Sequence, residues 1–124
     1  MMRRRSVSTA ANVVVAIVAA IHVYILVLEM FLWERPAGLR AFGQTREAAA
    51  ASRVLAANQG LYNGFLAAGL GWGLLLGPDG TSVKVFFLAC VLVAGLYGAA
   101  TASRKILLVQ AVPAAIGLAL VALS

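Results

Sequence analysis

The sequence is poor in the residues that most chemistry needs. Its 124 positions hold one cysteine, one histidine, four acidic residues and three prolines. Cys90 has no partner for an intramolecular disulfide and cannot build a cysteine-based zinc site. Flanked by Leu88, Ala89, Val91 and Leu92, it reads as an inert thiol. There is no nucleophile motif, no phosphate-cradling glycine loop and no metal-ligand spacing. His22 and Glu29 on one segment lack a third ligand, so neither a metal nor another cofactor is expected. Charge is scarce too: 11% of residues are charged, where soluble domains average about 25%.

What is present is apolar. The hydrophobic fraction is 63%, and a chain this short has too little interior to hide it. Lipid is the expected solvent. The net charge of +6 does not argue for nucleic acid. The basic residues Arg3, Arg4, Arg5, Arg35, Arg40, Arg46, Arg53, Lys84, Arg104 and Lys105 fall between apolar runs, where they suit headgroup contact and topology control.

Four apolar segments stand out, at about 13–33, 55–76, 83–102 and 106–123. Each approaches the ~20 residues that a helix needs to cross ~30 Å of hydrocarbon. Four strands cannot close a barrel, so helices are the only spanning option. The expected architecture is all-α: a four-helix transmembrane bundle forming one domain over 1–124. The first segment is read as a retained span, too long for the apolar region of a cleaved signal peptide. The polar connection 34–54 should hold a short helix, with Thr45 as an N-cap before Arg46 and Glu47. Gly77-Pro78-Asp79-Gly80 is a tight turn, and Pro113 should perturb the fourth segment. Gly60-x-x-x-Gly64 and Gly69-x-x-x-Gly73 permit close helix approach. Packing within one chain is the expected use of these motifs; a homo-oligomer interface is the second use they would serve.

The functional signal lies in the polar residues inside the segments: His22, Glu29, Asn58, Gln59, Asn63 and Gln110, with Tyr24, Tyr62 and Tyr97. Such groups at membrane depth are costly and face a bundle interior or cavity. His22 and Glu29 are two turns apart and share a face. Asn58 with Tyr62 and Gln59 with Asn63 are spaced to stack along a helix. Counting helical rise inward from the segment ends puts Glu29, Asn58, Gln59 and Gln110 in one layer roughly 6 Å deep, with Asn63 and His22 at about 12 and 16 Å.

Mutual hydrogen bonding that glues the bundle is one reading of this layer. The sharper reading is a polar intramembrane pocket for a small amphipathic ligand, lined by Glu29, Asn58, Gln59, Tyr62, Asn63 and Gln110. Arg53 is then the candidate counter-charge of Glu29, and Arg40, Arg46 and Arg104 complete the roof. Glu29 and His22 are the candidate catalytic pair of an isomerase or cyclase acting on a lipid-soluble molecule. A small transporter subunit or a structural accessory protein would also fit these residues.

His22-Val23-Tyr24-Ile25, Glu29–Trp33, the run Ala56-Ala57-Asn58-Gln59-Gly60-Leu61-Tyr62-Asn63-Gly64-Phe65, Ala99–Lys105, Gln110 and Pro113 together resemble a bacterial integral membrane family, domain of unknown function 1304. The resemblance covers nearly the whole chain after Ala11. It implies four spans and a bacterial cytoplasmic membrane, and no established activity. The chain departs from the family pattern in Arg3-Arg4-Arg5. Six basic residues on the side of the long connection against four on the other favour termini outside, with the arginine triplet pulling the opposite way.

Overall fold

The computed structural model describes residues 2–124 and is all-α, with no strand among the described residues. Helix α1 runs Met2–Met30, α2 Pro36–Phe42, α3 Arg46–Leu75, α4 Thr81–Thr101 and α5 Val112–Leu123. A 3₁₀ turn, Gly77–Gly80, leads into α4, and a π-helical turn, Leu107–Ala111, leads into α5. Two stretches, Met2–Met30 and Gly77–Thr101, are long and apolar enough to cross a membrane, and Leu107–Leu123 is apolar but shorter. The chain divides into two compact units. One holds the residues up to Ala20 together with Leu66–Ser124; the other is Ile21–Phe65.

The first unit is built on an aliphatic core. Val15 and Val18 of α1, Leu70 of α3, Leu88 and Val91 of α4 and Ala114 of α5 are all buried in one cluster. Glycines let these helices touch. A Cβ at Gly95 would meet the backbone nitrogen of Ala111 at 2.8 Å, so α4 lies directly against the π turn. The same addition at Gly69 would run into the Phe87 ring, and at Gly73 it would meet the Lys84 stem at 2.7 Å. The Gly69/Gly73 motif is thus occupied within the chain.

Pro113 acts locally. Proline has no N–H, and its ring presses on the carbonyl four residues back. The helix accommodates it by widening just before it: Val112 donates its N–H to the Leu107 carbonyl, a five-residue step.

Lys84 is the polar surprise of this unit. Placed by the sequence among the flanking charges, it is only 7% exposed, and its Nζ donates to Asn12 Oδ1 at 3.1 Å. Gly73 leaves room for its stem.

The second unit contains the end of α1, α2 and the start of α3. The segment 34–54, expected as a polar loop with one short helix, is more ordered than that. Pro36 opens α2, its missing N–H costing nothing in the first turn. Gly43, at φ 61°, closes α2 in the left-handed conformation. Thr45 then caps α3, its Oγ1 accepting the Ala48 N–H at 3.2 Å. From Arg46 the helix runs without a break to Leu75. The Gly60/Gly64 motif also packs within the chain. A Cβ at Gly60 would meet Met30 and Glu29 side chains at 2.5 and 3.2 Å, and one at Gly64 would meet Leu26 at 2.7 Å.

Gly95→Val should therefore overpack the α4 contact with the π turn and destabilise the protein by about 1–3 kcal/mol. Gly71→Ala, with nothing within 4 Å of the added carbon, should be neutral or slightly stabilising. Thermal unfolding of the two variants in one detergent is the check.

Candidate functional site

The candidate site lies wholly within the Ile21–Phe65 unit, at the end of α1. Glu29 is the penultimate residue of that helix. Close approach over Gly60 and Gly64 brings α3 alongside, so Asn63 Nδ2 donates to Glu29 Oε1 at 2.6 Å. The same amide nitrogen donates to the Gln59 carbonyl one turn back, at 3.1 Å. That second bond fixes the Asn63 rotamer and aims its amide at the carboxylate. Glu29 forms no ion pair among the described residues: Arg53 Nη1 sits 3.8 Å from Glu34 Oε1 instead, and both side chains are well exposed. The expected Arg53–Glu29 pair is thus replaced by a surface pair with the neighbouring acid. Exposed pairs of this kind contribute about 0–1 kcal/mol.

Glu29 opens onto a recess of about 460 Å³. Glu34, Arg35, Arg53 and Asn58 supply polar lining, while Met30, Phe31, Trp33, Val54 and Ala57 supply apolar lining. Trp33 is the best-fixed wall. Its Nε1 donates to the Ala49 carbonyl at 3.0 Å and to Ser52 Oγ at 3.2 Å, and its ring packs on Phe42 at 4.9 Å between centroids. Gly38, against which a Cβ would overlap the Leu32 carbonyl, holds α2 tightly to the chain just before Trp33. The recess is thus lined by both charged and apolar side chains.

The remaining candidates distribute as follows. Asn58 lines the recess, and Asn63 binds its carboxylate. Gln59 contributes its backbone carbonyl, while its side chain is exposed. Tyr62 is 58% exposed and stacks edge-on with Phe65. His22 is fully buried, carries an interaction of its own, and is absent from the recess lining. Gln110 belongs to the other unit, on the π turn, and is also partnered. Trp33, Glu34 and Arg35 were not singled out by the sequence as site residues. The available signal was a tryptophan followed by two opposite charges at a segment end, which also describes an ordinary membrane border. No group of three His, Cys, Asp or Glu side chains able to hold a metal occurs among the described residues.

The Glu29–Asn63 bond should be measurable by a double-mutant cycle. Glu29→Ala and Asn63→Ala together should cost less than the sum of the two single changes, with a coupling of about 1–2 kcal/mol. Additive losses in reversible unfolding would show that the bond carries no net free energy.

Comparison with known proteins gives a family and no activity. Residues 16–122 match the family model described as "Protein of unknown function (DUF1304)". The chain is also 32% identical over 102 residues to "Uncharacterized protein YpaA" of Lactococcus lactis subsp. lactis (strain IL1403), covering 81% of this chain and 82% of that protein. No solved structure matches it. The family match takes in both Glu29 and its Asn63 donor, and the chain belongs to that family of unknown function.

Proposed function

We propose that the protein is a four-span protein of the bacterial cytoplasmic membrane that binds a small amphipathic molecule in the recess beside Glu29. Two spans are the long apolar stretches Met2–Met30 and Gly77–Thr101. The third is the distal part of α3. From Val54 to Leu75 it carries no charge, and at 1.5 Å per residue it extends roughly 33 Å. Its glycines and amides dilute its hydropathy without adding a group that lipid forbids. The fourth is Leu107–Leu123, roughly 25 Å long by the same rise. Large side chains on these helices, such as Leu75, Leu108 and Val93, are 89%, 70% and 66% exposed. Apolar surface on this scale suits contact with acyl chains.

The observation that carries the binding role is the half-buried carboxylate of Glu29. It meets one neutral donor and borders a recess whose lining mixes polar and apolar side chains. A group that served only to glue helices would be expected to be enclosed by its partners. A ligand with a polar head and an apolar body matches a lining of both kinds. Lipid-soluble molecules reach such a site laterally from the bilayer.

Two experiments test this. On a Cys90→Ala background, a membrane-impermeant maleimide should label cysteines introduced at Gln44 and Ser103 from one side and at Asp79 from the other. Gln44 and Asp79 reacting from the same side would refute four spans. Native mass spectrometry of protein released from nanodiscs should retain a small co-purified amphiphile on the wild type and lose it on Ala57→Trp, which fills the recess. Equal retention would refute the site.

A further inference from the structure

We infer that the recess takes a lipophilic cation, an ammonium or phosphonium centre attached to an apolar body. This specifies the ligand class for the site proposed above and rests on that reading.

Glu29 Oε1 accepts the Asn63 amide, and the carboxylate makes no other hydrogen bond or ion pair among the described residues. A carboxylate drawn partly out of water is costly without a counter-charge, and a neutral amide offsets only part of that cost. The arginines nearby do not supply the missing charge. Arg53 is held by Glu34, and its side chain is 69% exposed. Arg35 is exposed at the outer edge of α2, beyond the end of α1. Solvated charges of this kind attract an anion weakly. Glu29 is drawn further from water than either arginine, and a complementary charge gains more there.

The apolar part of the lining has the same preference. Phe31 and Trp33 both line the recess, and Trp33 is held in place by its two Nε1 bonds and by Phe42. Aromatic rings favour cations at their faces, with indole the strongest. Met30 and Val54 add polarisable and aliphatic surface for the ligand's body. A carboxylate, two aromatic rings and aliphatic side chains, with the two lining arginines solvent-exposed and one of them paired to Glu34, recognise a diffuse positive charge.

The test uses a pair of ions that differ in little but sign. The full chain, in phosphatidylcholine nanodiscs, is titrated with radiolabelled tetraphenylphosphonium and, separately, with tetraphenylborate. Tetraphenylphosphonium should bind saturably. Glu29→Gln, which keeps an oxygen for Asn63, should weaken that binding by about tenfold or more. Glu29→Asp should retain most of it. On the wild type alone, dodecyltrimethylammonium should displace the bound phosphonium and dodecyl sulfate should not, a comparison that stands even if the Glu29 variants fold poorly. Preferential binding of tetraphenylborate, or tetraphenylphosphonium binding indifferent to Glu29→Gln, would overturn the cation assignment. If the amphiphile sensitive to Ala57→Trp persists in that case, the recess remains a site and only its ligand class was wrong. If that amphiphile is also absent, the site itself is refuted.

Discussion

The approach of α1 to α3 over Gly60 and Gly64 is the constraint on which the rest of the Ile21–Phe65 unit depends. With no side chain at these two positions, Leu26, Glu29 and Met30 rest almost on the α3 backbone. Only at that separation can a side chain as short as asparagine span the gap and bond a carboxylate at 2.6 Å. Any larger residue at Gly60 would collide with Met30 and Glu29 themselves. The motif and the polar contact are therefore one device: small residues set the distance, and the amide uses it. The same closeness ends where α1 ends, at Met30, so the helices enclose Glu29 on one side and leave the recess on the other.

Much of this was legible in the sequence because it obeys local rules. The glycine pairs announced close packing, and both are filled by residues of the same chain. Thr45 before Arg46 and Glu47 marked a helix start by its capping oxygen. Helical spacing put Glu29 in a layer with Asn58, Gln59 and Gln110 and set Asn63 deeper, yet Asn63 is the amide that reaches Glu29. What was not legible depends on partner choice in three dimensions. Arg53 lines the same recess as Glu29 and Glu34, and it takes the exposed acid, where neither ion loses its water. Asn12 and Lys84 are separated by 72 positions, and no periodicity connects them. Pro113 signalled a disturbance, but whether the helix would bend or widen was decided by packing. With Ala111 pressed against Gly95, the strain is absorbed as a π turn.

Lys84 and Glu29 show two treatments of the same problem, a charge in an apolar unit. Lys84 is almost completely covered, its stem lying over Gly73 and its ammonium meeting the Asn12 oxygen. Lysine can do this because its four-carbon stem is itself apolar surface and only its tip requires a partner. Asn12 is exposed, so the tip ends near the surface of its unit. Glutamate has a stem half that length and cannot withdraw its charge to a border in the same way. Its placement at Glu29 fixes a carboxylate inside the unit, and the surroundings must answer it.

How they answer it separates a structural role from a binding one. A carboxylate oxygen has room for two hydrogen bonds, so the pair accepts about four in all. Asn63 supplies one, and its amide is shared with the Gln59 carbonyl. A packing role would be served as well by a second amide, which costs nothing in desolvated charge, and α3 already carries Asn58 and Gln59 nearby. The chain places an acid here where a neutral partner would suffice, beside a recess whose lining includes aromatic and aliphatic side chains. Glu29 lines the recess beside Asn58 and the exposed Arg35 and Arg53, and of these charges it is the one drawn furthest from water. That asymmetry is difficult to reconcile with a site that only holds two helices together, and it favours an occupant of opposite sign.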